Sequence, residues 1–126
     1  MRMKVAHIGA VVCFLALSFA ARPAAAGAYG ALATSPDADF GYAYNYDDAD
    51  EARDRAMTEC RKHSSDCKVK GTFENTCVSV SKAENGAMGW AWGHGKQQDD
   101  SMAMTECKNN KGRGCELSAR FCTGNP

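Results

Sequence analysis

Two histidines follow residue 26 of the chain, His63 and His94, and imidazole is the side chain best suited to take and return a proton near neutral pH. Asp100 and Ser101 lie close to His94 in sequence. A small cell-envelope hydrolase using His94 or His63 with nearby carboxylates is therefore one reading, and it requires those groups to converge in a pocket. A catalytic histidine needs an orienting acid and a nucleophile, and proximity along the chain supplies neither by itself.

Aromatic side chains offer a different chemistry. Tyr42, Tyr44 and Tyr46 alternate with Gly41, Ala43 and Asn45, and Trp90 and Trp92 alternate with Gly89, Ala91 and Gly93. On a strand each set falls on one face, giving a row Phe40, Tyr42, Tyr44, Tyr46 and a second row Met88, Trp90, Trp92, His94. Flat rings on a strand face stack on sugars or anchor a partner protein. The competing expectation is that they pack as core against the alanine stripe of a helix.

Lys68 and Lys70, with Lys62 and His63, and Lys108, Lys111 and Arg113 in a matching loop, suggest a basic edge for an anionic polymer or an acidic partner; solvation of loops is the plainer account. Asp47, Asp48 and Asp50 cluster without the spacing of a calcium loop, and helix capping explains them better. The six cysteines beyond residue 26, Cys60, Cys67, Cys77, Cys107, Cys115 and Cys122, include no Cys-x-x-Cys pair. They read as disulfides and not as metal ligands, and no metal or cofactor is expected.

The compartment that permits disulfides is indicated at the amino terminus. Met1 to Lys4 carry positive charge, Val5 to Ala21 are largely apolar, and Ala24-Ala25-Ala26 offer small residues, the organisation of a leader cleaved after about Ala26. Cys13 belongs to that leader. The expectation is a secreted or periplasmic protein, residues 27–126, with no membrane insertion after cleavage. Those residues hold 12 basic and 15 acidic side chains, a mildly acidic balance that disfavours nucleic acid as a partner.

An internal duplication organises this domain. Gly41-Tyr42-Ala43-Tyr44 matches Gly89-Trp90-Ala91-Trp92, Met57-Thr58-Glu59-Cys60 matches Met104-Thr105-Glu106-Cys107, and Cys67-x-Val69-x-Gly71-x-Phe73 matches Cys115-x-Leu117-x-Ala119-x-Phe121. The copies span about 28–74 and 75–126. Each reads as a first strand (Tyr29 to Ser35; Cys77 to Lys82), a turn, the aromatic strand, a helix and a third strand. Asp48 followed by Glu51 resembles a capping box before a helix from about Ala49 to Lys62. Its Ala49, Ala52, Ala56 and Cys60 form the buried stripe, with Ala103, Met104 and Cys107 in the second copy.

The expected fold is α+β: a six-stranded antiparallel sheet with two helices on one face, one domain stapled by disulfides. Six cysteines allow 15 connectivities. The duplication selects Cys60–Cys67 and Cys107–Cys115, leaving Cys77 and Cys122 to pair.

The run Tyr29-Gly30-Ala31-Leu32-Ala33, then Gly41-Tyr42-Ala43-Tyr44-Asn45, then an acid-capped alanine helix ending at Cys60, resembles the bacterial domain-of-unknown-function family numbered 4189. The resemblance covers nearly the whole chain beyond the leader. It implies an exported bacterial protein with a duplicated aromatic-and-glycine strand and paired cysteines, and it assigns no activity. The second helix departs from the small-residue pattern at Gln97, Gln98, Asp99 and Asp100.

The leading functional expectation is a non-enzymatic interaction module of inhibitor, immunity or host-directed effector type. It would engage a protein or glycan through Tyr42, Tyr44, Tyr46, Trp90, Trp92, Lys68 and Lys70. The hydrolase above and a purely structural envelope protein are the alternatives.

Overall fold

The computed structural model describes residues 27–126, so the expected leader lies outside the described residues. The first unit comprises β1 (Tyr29–Thr34), β2 (Phe40–Tyr46), α1 (Ala49–Arg61) and β3 (Lys68–Glu74). The second repeats the order as β4 (Thr76–Lys82), β5 (Met88–Trp92), α2 (Lys96–Asn109) and β6 (Glu116–Thr123). Among the described residues no helix is long and apolar enough to cross a membrane.

The α+β class, the duplicated unit and the antiparallel pairing are as expected. The six strands are divided between two three-stranded sheets, ordered β2-β1-β3 and β5-β4-β6, each wholly antiparallel. Each helix covers the outer face of its own sheet, and the inner faces of the two sheets meet. The division follows from side-chain size. Ala31, Ala33 and Ala43 on one face of the first sheet join Ala52, Ala56 and Cys60 of α1 in one buried cluster. Leu32 and Phe73 on the other face join Val78, Val80, Met88 and Phe121 of the second unit. A sheet with apolar residues on both faces must bury both, and here a helix takes the small face and a second sheet takes the large one.

Glycine sets the helix-to-sheet distance. A Cβ built on Gly41 falls 2.2 Å from the Cys60 nitrogen and 2.4 Å from the Ala56 oxygen; one on Gly89 falls 2.2 Å from the Ala103 oxygen. No side chain fits where helix backbone lies against strand backbone in this way. The third strands add a bulge. Leu32 pairs with Gly71 but Ala33 with Val69, so Lys70 is the extra residue, and Val80 and Ser81 pair with Ala119 and Leu117 across Ser118 in the same manner. The strict alternation expected for Cys67, Val69, Gly71 and Phe73 therefore breaks. Cys67 joins the helix-side cluster while Phe73 joins the inter-sheet one.

Cys60 is bonded to Cys67, Cys107 to Cys115, and Cys77 to Cys122, the pairs that the duplication singles out. The first two tie each helix end to its third strand, and the last joins β4 to β6 across register partners. The units are also stitched by polar contacts: Asn45 N–H donates to Thr123 Oγ1 (3.0 Å), Thr123 Oγ1 donates to the Ala28 carbonyl (3.0 Å), and Gly124 N–H donates to Asn45 Oδ1 (2.9 Å).

Two outcomes are expected in urea denaturation of the oxidised protein. Gly41→Ala or Gly89→Ala lowers the unfolding free energy by about 1–3 kcal/mol, because backbone has to move to admit the methyl group. Replacing Cys77 and Cys122 by alanine costs roughly 4 kcal/mol against about 2.5 for Cys60 and Cys67, since the closed loop is longer. Equal losses from the two disulfides would refute the loop-length account.

Candidate functional site

Each sheet leaves its aromatic strand at an edge. Among the described residues β2 pairs with β1 alone, and β5 with β4 alone. Beside each open edge runs a groove walled by the helix of the same unit. The groove of about 690 Å³ between β2 and α1 is lined by every residue from Phe40 to Tyr46, together with Arg55, Glu59, Lys62 and His63. The groove of about 530 Å³ between β5 and α2 is lined by Trp90, Ala91 and Trp92, with His94 and, from α2, Ser101, Met102 and Thr105 among its wall residues. Consecutive residues from both faces of a strand line one groove only when its floor is the edge of the strand itself.

The aromatic side chains point away from the alanine stripes, contrary to the expected packing, because Gly41, Ala43, Gly89 and Ala91 occupy the helix-facing positions. Tyr42 stacks on Phe121 of the opposing sheet with centroids 4.6 Å apart, and Trp92 meets Phe73 edge-on at 5.1 Å. These rings seal the ends of the inter-sheet core and emerge at its rims: Tyr44 is 52% exposed, Trp92 47% and Tyr42 36%. Trp90 is partly buried against that core. Tyr46 leaves the row. The register of β1 and β2 shifts before it, Asn45 takes φ +61°, and Tyr46 packs with Tyr29 on the helix-side cluster.

His94 also leaves its row. Gly93 and Gly95 flank it at φ +83° and +90°, conformations open to glycine, and turn the chain from β5 into α2. His94 Nδ1 and Asp99 Oδ1 are 3.2 Å apart, and the same oxygen accepts the His94 backbone N–H at 3.2 Å. Gly95 at the N-cap has no side chain with which to cap α2, and Asp99 in the first turn reaches back to the chain that precedes the helix. In the first unit Asp48 caps α1 directly, accepting from Asp50 N–H at 2.7 Å and Glu51 N–H at 3.1 Å.

Asp99 was not singled out by sequence reasoning, which looked to Asp100. Asp100 turns elsewhere, accepting from Ser79 Oγ and Lys96 Nζ, with Arg120 Nη1 4.0 Å away. The hydrogen bond from Lys96, then that from Ser79, hold the Asp100 carboxyl below its ordinary range against partial desolvation. Ser101 shares the β5 groove with His94. The signal for Asp99 was positional: it stands four residues after a glycine that opens a helix.

His63 lines the β2 groove with Arg55 and Lys62, both paired with Glu59, at 2.7 and 2.9 Å. The hydrogen bond from Lys62 is the main cause of a lowered Glu59 pKa. Lys68 and Lys70 lie apart from both grooves, in a small depression with Asp66 and Ser35. Lys108, Lys111 and Arg113 line neither groove. Among the described residues no three histidine, cysteine or acidic side chains are grouped to hold a metal ion.

The family model described as domain of unknown function (DUF4189) matches residues 29–122, and the chain belongs to that family. Comparison with curated proteins finds no match, and neither does comparison with solved structures.

Because Asp100 is depressed in the folded state, its charged form contributes stability above the ordinary carboxylate range, and this contribution is lost as pH falls through the folded pKa. Lys96→Gln should raise the Asp100 pKa towards its ordinary value, read by carboxyl carbon NMR titration, and should flatten the acid side of the stability profile. An unchanged Asp100 titration would show that Lys96 does not hold it.

Proposed function

We propose that this is an exported, non-enzymatic binding module that takes an extended segment of a partner protein onto the open edges of β2 and β5. The observation that carries the reading is the pair of grooves floored by free strand edges and bordered by half-exposed rings, Tyr44 at one and Trp92 at the other. An unpaired edge offers a row of backbone donors and acceptors, and an added strand satisfies them while neighbouring pockets select side chains. Trp92 and Met102, both exposed, give the β5 groove an apolar border suited to large side chains of the ligand. The charged leader, the apolar run behind it and three disulfides support export to an oxidising compartment. An inhibitor, immunity protein or host-directed effector would work in this way.

The His94–Asp99 contact supports a second reading, a hydrolase whose base is His94 oriented by Asp99, with the β5 groove as substrate cleft. Binding and catalysis separate at His94, which strand addition does not require.

The test is selection of a displayed peptide library on the immobilised, oxidised protein, followed by amide hydrogen exchange with a selected peptide bound. Strand addition predicts new protection along β5 or β2 and at least about tenfold weaker binding for Trp92→Ala or Tyr44→Ala. Enrichment of no peptide, or binding of soluble glycans without new amide protection, would overturn it.

A further inference from the structure

The two units place different chemistry at equivalent positions. Counting back from the shared cysteines, Asp99 occupies on α2 the place of Ala52 on α1, as Ala103 matches Ala56 and Cys107 matches Cys60. The sheet beneath follows suit: Ser79 and Ser81 stand where the first unit has Ala31 and Ala33, and Arg120 stands where it has Thr72. One unit thus closes its helix-to-sheet interface with alanine, while the other puts a carboxylate, two hydroxyls and a guanidinium into the same frame. The fold does not need these groups there, and burying them unpaired is costly.

Asp99 is 1% exposed. Its Oδ1 is occupied by His94, but its Oδ2 has no hydrogen-bond partner; the nearest cation is Arg120, with Nη1 3.7 Å away and itself donating to Ser79 Oγ at 2.7 Å. Asp99 and Arg120 line one cavity of about 290 Å³ at the start of α2, bordered by Asn75, Thr76, Gly93 and Gly95. It offers a buried anionic acceptor and, beside it, a guanidinium whose Nη1 donates to Ser79 Oγ and lies 3.7 Å from Asp99 Oδ2 and 4.0 Å from Asp100 Oδ1.

We infer that this cavity binds a small zwitterion of the α-amino-acid class, its ammonium donating to Asp99 Oδ2 and its carboxylate accepting from Arg120. Each ligand charge meets its opposite, and the orphan acceptor gains the charge-assisted donor it lacks. A ligand with only one of the two charges leaves Asp99 or Arg120 unsatisfied. The site is separate from the strand edges and stands or falls without them.

The experiment is isothermal titration calorimetry of the oxidised protein with L-alanine and glycine, with acetate and ethylammonium as single-charge controls. Saturable binding of the amino acids, and none of the controls, is expected. Asp99→Asn keeps an acceptor for His94 but sets an amide donor against the ammonium, and Arg120→Gln removes the carboxylate's partner; each weakens binding at least about tenfold. The double variant Asp99→Ala/Ser79→Ala reproduces the alanines of the first unit. It should remain folded by circular dichroism and bind neither amino acid. Failure of both amino acids to bind the unaltered protein, equal binding of acetate, or unweakened binding by Asp99→Asn would each overturn the assignment.

Discussion

The structure depends on the contact of helix backbone with strand backbone at Gly41 and Gly89. A methyl group at either position would overlap helix backbone atoms, so each helix lies as close to its sheet as the chain allows. That proximity keeps the positions beside the contact small, glycine, alanine and serine, and Leu32, Phe73, Val78, Val80 and Phe121 lie on the opposite face. There the two units meet and form the larger core around Leu32, Val78, Val80 and Phe121. Small residues outside and large ones inside thus produce two paired sheets flanked by two helices.

The open edges follow from the same constraint. Once the helix takes one face of a sheet and the other sheet takes the second, no strand among the described residues remains to pair with the outer edges of β2 and β5. Their aromatic rings are long enough to contribute to the inter-sheet core and still reach its rim, so Tyr42 is both stacked on Phe121 and partly open to solvent. A ring fixed on one side by core packing loses little conformational freedom when a ligand covers the other side, which makes such rims effective anchors.

The units are alike in backbone and unlike in chemistry. At the start of α1 a solvent-facing Asp48 caps the helix and alanine fills the interface; at the start of α2 the cap is a glycine, and a buried carboxylate reaches back to the chain that enters the helix. The consequence is a cluster of His94, Asp99, Asp100, Ser79 and Arg120 in the second unit alone, joined by hydrogen bonds and ion pairs. Since the first unit folds around alanine, the cluster marks where the two units differ most in chemistry.

Much of this was legible along the chain. The duplication, the strand and helix order and the choice of cysteine partners are all local patterns, because side-chain periodicity and matched spacing report directly on a strand, a turn or a helix face. What local pattern cannot carry is which face meets which neighbour. Alternation put Tyr46 and His94 in line with the other rings, but a positive φ at Asn45 and two glycines around His94 redirect them. Regular spacing likewise suggested one sheet, whereas the balance between small and large faces, summed over both units, produced two. The meeting of Asp99 with Arg120, across 21 positions of chain, and the exposure of Trp92 at a sheet edge were decided only in the tertiary structure, because each depends on the second element that approaches and not on the residue's own neighbours.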